Sequence, residues 1–189
     1  MSRKGENSKV EPIKNLKDIK NIKLLLKDKP RDMALFTVGI NTNLRASDLC
    51  QITVGMVKDK KTGEDFVLKE KKTGKERRIT LNSACVKAVQ DLLASKSLED
   101  TDQLFLGKRG NIKTTTIIYL VKEWTKSINL KGNYGSHTLR KSWGYHQRKH
   151  FCVDIPTLMV IFNHSSQKQT LDYLCVQPQE IKEVYLNEL

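Results

Sequence analysis

The chain has 189 residues, 38% of them hydrophobic, which is enough for one packed domain and short for two. Thirty-four Lys and Arg against 21 Asp and Glu leave a formal charge of +13, an excess that points to a polyanionic partner such as DNA or RNA. No apolar run reaches the ~18 residues of a membrane span, and the polar stretch 1–9 has no signal-peptide core behind it, so the expectation is a cytoplasmic protein with no membrane partner.

Residues 1–12 read as a flexible leader or the remnant of an interdomain linker. Ile13, Leu16, Ile19, Ile22 and Leu25 then recur every three residues amid Lys and Asp, as on an amphipathic helix that Pro30 ends. A second apolar segment, 33–40, is closed by the turn and cap residues Asn41, Thr42 and Asn43, and a short helix is expected over 46–51. From Met56 to Leu81 the pattern becomes strand-like. Residues 66–68 and 77–81 flank Thr73 and Gly74, which suggests an antiparallel hairpin. Asn82 or Ser83 caps the next helix, with Val86, Val89, Leu92 and Leu93 on one face. Residues 104–106 form a short extended run before a turn at 107–110. Segments 114–128, 137–150, 154–162 and 167–174 read as helices, and a last helix starts near Gln179. The expected class is α+β, mainly helical: a helical bundle with a small antiparallel β-hairpin, without repeats or an internal composition shift.

Charge is unevenly spread along this order. Residues 107–151 hold ten Lys and Arg against Glu123 alone, whereas Asp172, Glu180, Glu183 and Glu188 oppose only Lys182 after Thr170. Cys50, Cys85, Cys152 and Cys175 form no C-x-x-C pair, so they read as reduced thiols in core or surface positions. His146 and His150, four apart with Cys152 nearby, read as the basic face of a helix rather than a zinc site. No metal and no other cofactor is expected.

Four local patterns give the basic domain a specific chemistry. They are Thr42-Asn43-Leu44-Arg45-Ala46-Ser47-Asp48-Leu49, then Lys71-Lys72-Thr73-Gly74-Lys75-Glu76-Arg77, then His137-Thr138-Leu139-Arg140, and finally Asn163-His164-Ser165 with Tyr173 nine residues after His164. A phosphodiester under attack gathers negative charge on its non-bridging oxygens. Guanidinium forks match those oxygens and stay charged, so Arg45 and Arg140 would clamp them, with donors from His137 and His164. A phenol placed among cations is a plausible nucleophile, which nominates Tyr173. Lys72 at the tip of a mobile hairpin is the candidate general acid for the leaving hydroxyl, and Asp48, three residues after Arg45, would orient a cation. Lys71, Lys75, Arg77, Lys108, Arg109, Lys113 and Lys141 are candidate contacts to DNA. Taken singly, each residue has an ordinary reading as a surface cation or a half-buried tyrosine. Their order, spacing and basic surroundings carry the argument jointly.

From near residue 13 onward the sequence resembles the catalytic domain of tyrosine recombinases, the phage-integrase family. That family shows an arginine in a T-G-L-R-x-x-E-L box, a hairpin lysine, H-x-L-R, a G-H-S-like box and a tyrosine about nine residues on. The resemblance implies a catalytic domain over 13–189, with 179–189 as a segment that links protomers. It also implies attack by Tyr173 to give a 3′-phosphotyrosyl bond, strand exchange in double-stranded DNA by a homotetramer, and no need for metal or ATP. Asn43 and Asn163 stand where the family usually has Gly, a change that Asn tolerates in a left-handed turn; Asp48 replaces the commoner Glu. Family members usually carry an N-terminal helical domain that completes a clamp around DNA. About a dozen residues precede the catalytic fold here, so the chain is expected to be a piece of a longer recombinase or a minimal one, binding DNA more weakly than a full clamp. Two other readings stay open. A type IB topoisomerase would relax supercoils as a monomer, and a DNA-binding regulator keeping the fold would have lost one of the catalytic residues.

Overall fold

The computed structural model describes residues 10–72, 74–107, 110–174, 182 and 185–188. The chain divides into two compact units, Met1–Trp143 and Gly144–Leu189, at a point that no change of composition marks.

The first unit opens with extended chain. Glu11 N–H donates to the Asn133 carbonyl at 2.7 Å and Ile13 N–H to Ser142 Oγ at 2.7 Å. Helix α1 (Leu16–Leu25) starts only after Asn15, whose side chain accepts from the Lys17 N–H. The periodic run from Ile13 is therefore not one helix. Ser142 takes up the Ile13 backbone, Asn15 caps the turn that follows, and Leu16 is left largely exposed while Ile22 reaches the core. Helix α2 (Pro30–Asn41) begins on a proline, whose fixed φ and missing N–H suit a first turn. It is buried along most of its length.

Two single-turn helices follow, α3 (Ala46–Leu49) and α4 (Val54–Val57). Strand pattern was expected from Met56, but the chain becomes extended only at β1 (Asp65–Lys69), which pairs antiparallel with β2 (Glu76–Thr80). The physical reason is that Val54 and Gly55 donate to the Asp102 and Asp100 carbonyls, which ties this stretch into a turn against a loop. In the hairpin Phe66 faces Ile79 and Leu68 faces Arg77. Helix α5 (Ser83–Ser95) is capped by Asn82 and packs on α2. A second antiparallel ladder, unforeseen in the sequence, joins β3 (Leu106–Gly107) to β4 (Gly110–Asn111).

Helix α6 (Thr114–Ser127) and the first turns of α7 (Thr138–Lys149) complete this unit's core. Phe36 of α2 meets Trp124 of α6 edge-on, with ring centroids 5.7 Å apart. A side chain at Gly39 would bring its Cβ within 2.6 Å of Leu139, so glycine lets α7 lie close against α2. Burial pushes the Cys85 thiol up to about 12, in keeping with a core-filling role; Cys152 is exposed, and Cys175 lies outside the described residues.

The second unit holds the end of α7 together with α8 (Ile155–Phe162) and α9 (Gln167–Leu174). Asp154 caps α8 by accepting from the Thr157 N–H at 2.7 Å. Leu158, Phe162 and Leu174 are fully buried. At Gly144 an added Cβ would collide with the Phe162 ring and lie 2.7 Å from Leu174, so α7 approaches α8 and α9 closely there. Most of the expected final helix, 179–189, lies outside the described residues. Among the described residues no helix is long and apolar enough to cross a membrane.

Candidate active site

Within the first unit, the site grows from the end of α2. Asn43 has φ +54, the left-handed conformation anticipated from its place in the Thr42–Arg45 box. The chain reverses there, and Arg45, in extended conformation, opens α3. The Asn43 carbonyl accepts from Arg140 Nη1 at 2.8 Å and from Arg77 Nη1 at 3.2 Å. One backbone oxygen thus gathers two guanidiniums from elements far apart in sequence.

Two buried carboxylates hold the other side. Glu70, 3% exposed, lies 2.8 Å from Arg45 Nη1 and 3.3 Å from Arg77 Nη1. Asp48 is fully buried, its Oδ2 3.7 Å from Arg45 Nη1, while its Oδ1 accepts from the Lys71 N–H at 3.1 Å. Asp48 thus faces Arg45, and it also holds the hairpin backbone. Glu70 was missed in the sequence, although a signal was present. Alternation along β1 buries Phe66 and Leu68 and exposes Val67 and Lys69, so the next inward position is Glu70. Arg77 shares this inward face, opposite Leu68.

Lys72 is exposed, one residue beyond the tethered Lys71. The turn is closed by Gly74 N–H to the Glu70 carbonyl at 2.8 Å and Glu70 N–H to the Lys75 carbonyl at 2.9 Å. Thr73 lies outside the described residues. The hairpin is rooted at Asp48 and at Arg45, and Lys72 projects from that root.

His137 immediately precedes α7, and Arg140, 2% exposed, sits in its first turn. Burial first, and then the charges of Arg140, Lys141, Arg45 and Lys72, hold the His137 imidazole below its ordinary value of 6.5. It is neutral at pH 7 and has one N–H to offer as a hydrogen-bond donor. Those four cations identify the neighbourhood. Arg45, Lys72 and Arg140 are thus all near enough to His137 for their charges to act on it, a gathering of cations that would suit an anion with several oxygens.

In the second unit, α8 ends in a Schellman-type closure. Asn163 has φ +55 and its N–H donates to the Val160 carbonyl at 2.9 Å, while His164 N–H donates to the Met159 carbonyl at 3.0 Å. This fixes the chain direction at His164. Its Nδ1 lies 3.1 Å from Thr170 Oγ1, and its ring stacks on Phe162 with centroids 5.0 Å apart. Tyr173 on α9 meets the His164 ring edge-on at 5.2 Å and the Phe162 ring at 5.0 Å. His164 and Tyr173 are therefore neighbours on one small scaffold of two helices.

Of the candidate DNA contacts, Lys71, Lys75 and Lys113 are exposed. Arg77 is mostly buried in its links to Glu70 and Asn43, and Lys141 is 5% exposed. Lys108 and Arg109 lie outside the described residues. His146 and His150 stack on each other with centroids 5.1 Å apart. Among the described residues no group of three His, Cys, Asp or Glu side chains converges as a metal site.

The phage integrase family model matches residues 12–180. Tyrosine recombinase XerC of Caldanaerobacter subterraneus subsp. tengcongensis is 36% identical over 160 residues, covering 82% of this chain and 44% of that protein. The probable integrase/recombinase YoeC of Bacillus subtilis is 32% identical over 181 residues, covering 93% of this chain and 95% of YoeC. The chain therefore spans less than half of the XerC it matches and nearly all of YoeC. Among solved structures, XerA recombinase superposes with a TM-score of 0.76 at 21% identity, over 97% of this chain and 65% of XerA. XerH bound to a palindromic difH substrate gives a TM-score of 0.75 at 16% identity, over 98% of this chain and 55% of XerH. At these identities the structural likeness establishes the fold.

Proposed function

The chain belongs to the phage integrase family, and on that premise we propose that it is a site-specific DNA recombinase working through a 3′-phosphotyrosyl intermediate. Tyr173 Oη attacks the scissile phosphorus, forming the Oη–P bond as the bond to the 5′ oxygen breaks. The phenol proton is lost to water, and Lys72 Nζ gives a proton to the departing 5′ oxygen. Arg45 and Arg140 hold the non-bridging oxygens, where their fixed charge counts most as negative charge builds. Neutral His137 donates one hydrogen bond, and His164 supports both the phosphate and Tyr173. The ester to tyrosine keeps the energy of the phosphodiester, so a 5′ hydroxyl can reverse the step without ATP. The partner is double-stranded DNA, the assembly on it a homotetramer, and the location the nucleoid of the cytoplasm.

The observation that carries this reading is the anchoring of Arg45 and Arg140 by Glu70 and the Asn43 carbonyl, around a histidine kept neutral.

The test is a nicked suicide duplex carrying a candidate attachment site, incubated without metal or ATP and run on a denaturing gel. The wild-type chain should give a covalent protein–DNA band, and Tyr173→Phe should give none. A band of equal strength from Tyr173→Phe, or no band from the wild type, sinks the proposal.

A further inference from the structure

We propose that Glu70 is a positioning residue for strand cleavage, a buried counter-ion that fixes the Arg45 guanidinium and ties it to the hairpin bearing Lys72; this rests on the recombinase reading above. Its carboxylate lies 2.8 Å from Arg45 Nη1 and 3.3 Å from Arg77 Nη1, and it is almost wholly removed from water. Arg77 in turn reaches the Asn43 carbonyl, which also receives Arg140. The two guanidiniums assigned to the phosphate are thus joined through Glu70, Arg77 and one peptide oxygen.

Two physical consequences follow. The first is orientation. A guanidinium is planar, so an ion pair of 2.8 Å between one of its nitrogens and a buried carboxylate restricts where its remaining donors point. Glu70 is held by its own backbone, which donates to the Lys75 carbonyl and accepts from Gly74 N–H. Lys72 lies two residues further along that same turn. The group that fixes Arg45 therefore also fixes the base of the general acid, and the distance between the charge clamp and the proton donor is set by one short piece of chain.

The second consequence is electrostatic. Three guanidiniums largely removed from water repel one another, and a buried carboxylate offsets that repulsion before any phosphate arrives. The same negative charge weakens ground-state attraction for DNA. A device that lowers affinity and is nonetheless built into the pocket is explained by what it does for geometry. Glu70 should therefore raise the rate of cleavage without strengthening binding.

The experiment compares Glu70→Gln with the wild type in two settings. In the first, covalent-complex formation on the suicide duplex is timed under single-turnover conditions, and duplex affinity is measured separately in a Tyr173→Phe background. In the second, without DNA, arginine side-chain NMR signals are followed, with Arg45 assigned by their loss in Arg45→Lys. The expected result is cleavage slower by on the order of ten- to a hundred-fold, the scale of a small misplacement in a reacting geometry. Affinity should be unchanged or tighter, and the slowly rotating Arg45 signals should broaden. Wild-type cleavage by Glu70→Gln, with the Arg45 signals intact, overturns the proposal. So does a loss confined to affinity. If Glu70→Gln does not fold, Glu70→Asp carries the same readouts, because it keeps the charge but withdraws it by one methylene; wild-type cleavage by that variant is equally fatal. Failure of the wild type to form any covalent complex would instead sink the recombinase reading, and the NMR arm would still decide whether Glu70 holds Arg45.

Discussion

His137 gives the site a pH dependence that can be measured without DNA. Its folded pKa is depressed by burial and by four neighbouring cations. At pH values below about 6.5 the unfolded chain binds a proton on this imidazole that the folded chain refuses. The unfolded state then holds more protons, so stability rises with pH across that window and is lost on acidification from 6.5 down to the folded pKa. His137→Gln should remove this component. Urea midpoints for wild type and variant, taken at pH 7.5 and 5.5, should show the wild type losing more stability on acidification than the variant. Equal losses would mean that His137 is not held neutral. The same residue scale shows what the sequence left legible. Arg45, His137 and Arg140 were marked by local boxes, in which each stands at a short fixed spacing from its neighbours. Glu70 had no box and looked like one acid in a basic hairpin; only the two-residue period of β1 turns it inward.

At the scale of elements, Gly144 is where α7 meets α8 and α9, and no side chain fits. An alanine Cβ would overlap the Phe162 ring and press on Leu174 at 2.7 Å. Gly144→Ala should cost about 1–3 kcal/mol through overpacking, a fall in Tm of several degrees for a chain this long. Because Phe162 also stacks on His164 and touches Tyr173, the strain should reach the scaffold that holds those two side chains. Adding Phe162→Leu frees room, so the double variant should lose less than the sum of the two single losses; strict additivity would show that the glycine has another role. Element boundaries followed the sequence closely where capping residues stand at the ends. Asp154 opens α8, and Asn163 closes it in the left-handed region. They departed where a long-range hydrogen bond competed with local pattern, as when Ser142 captured Ile13 and kept it out of α1. Such a bond joins residues 129 apart, and no window of local sequence contains it.

At the scale of the whole molecule, a charge of +13 announces a polyanion but does not say which cations meet it. Counting along the chain treats Lys113 and Lys141 alike. Folding separates them, leaving Lys113 exposed and Lys141 at 5% exposure on the inner side of α7. Arg77 is likewise drawn inward, into its links with Glu70 and Asn43. These two groups of cations should therefore respond differently when DNA binding is measured against salt. A cation that neutralises a phosphate releases a counter-ion, so each such contact steepens the plot of log affinity against log salt by about 0.9. Replacing Lys71, Lys75 and Lys113 together by Gln should flatten that slope by about 2–3, while Tm stays near wild type because all three are surface side chains. Arg77→Gln should do the opposite. It should leave the slope nearly unchanged and lower the stability, since the Asn43 carbonyl and Glu70 each lose a buried donor. Fluorescence anisotropy titrations from 50 to 200 mM salt, about the range over which counter-ion release is resolved, would measure both slopes. If Arg77→Gln flattened the slope as much as the three lysines did, Arg77 would belong to the DNA surface, and the buried network would have to be redrawn without it.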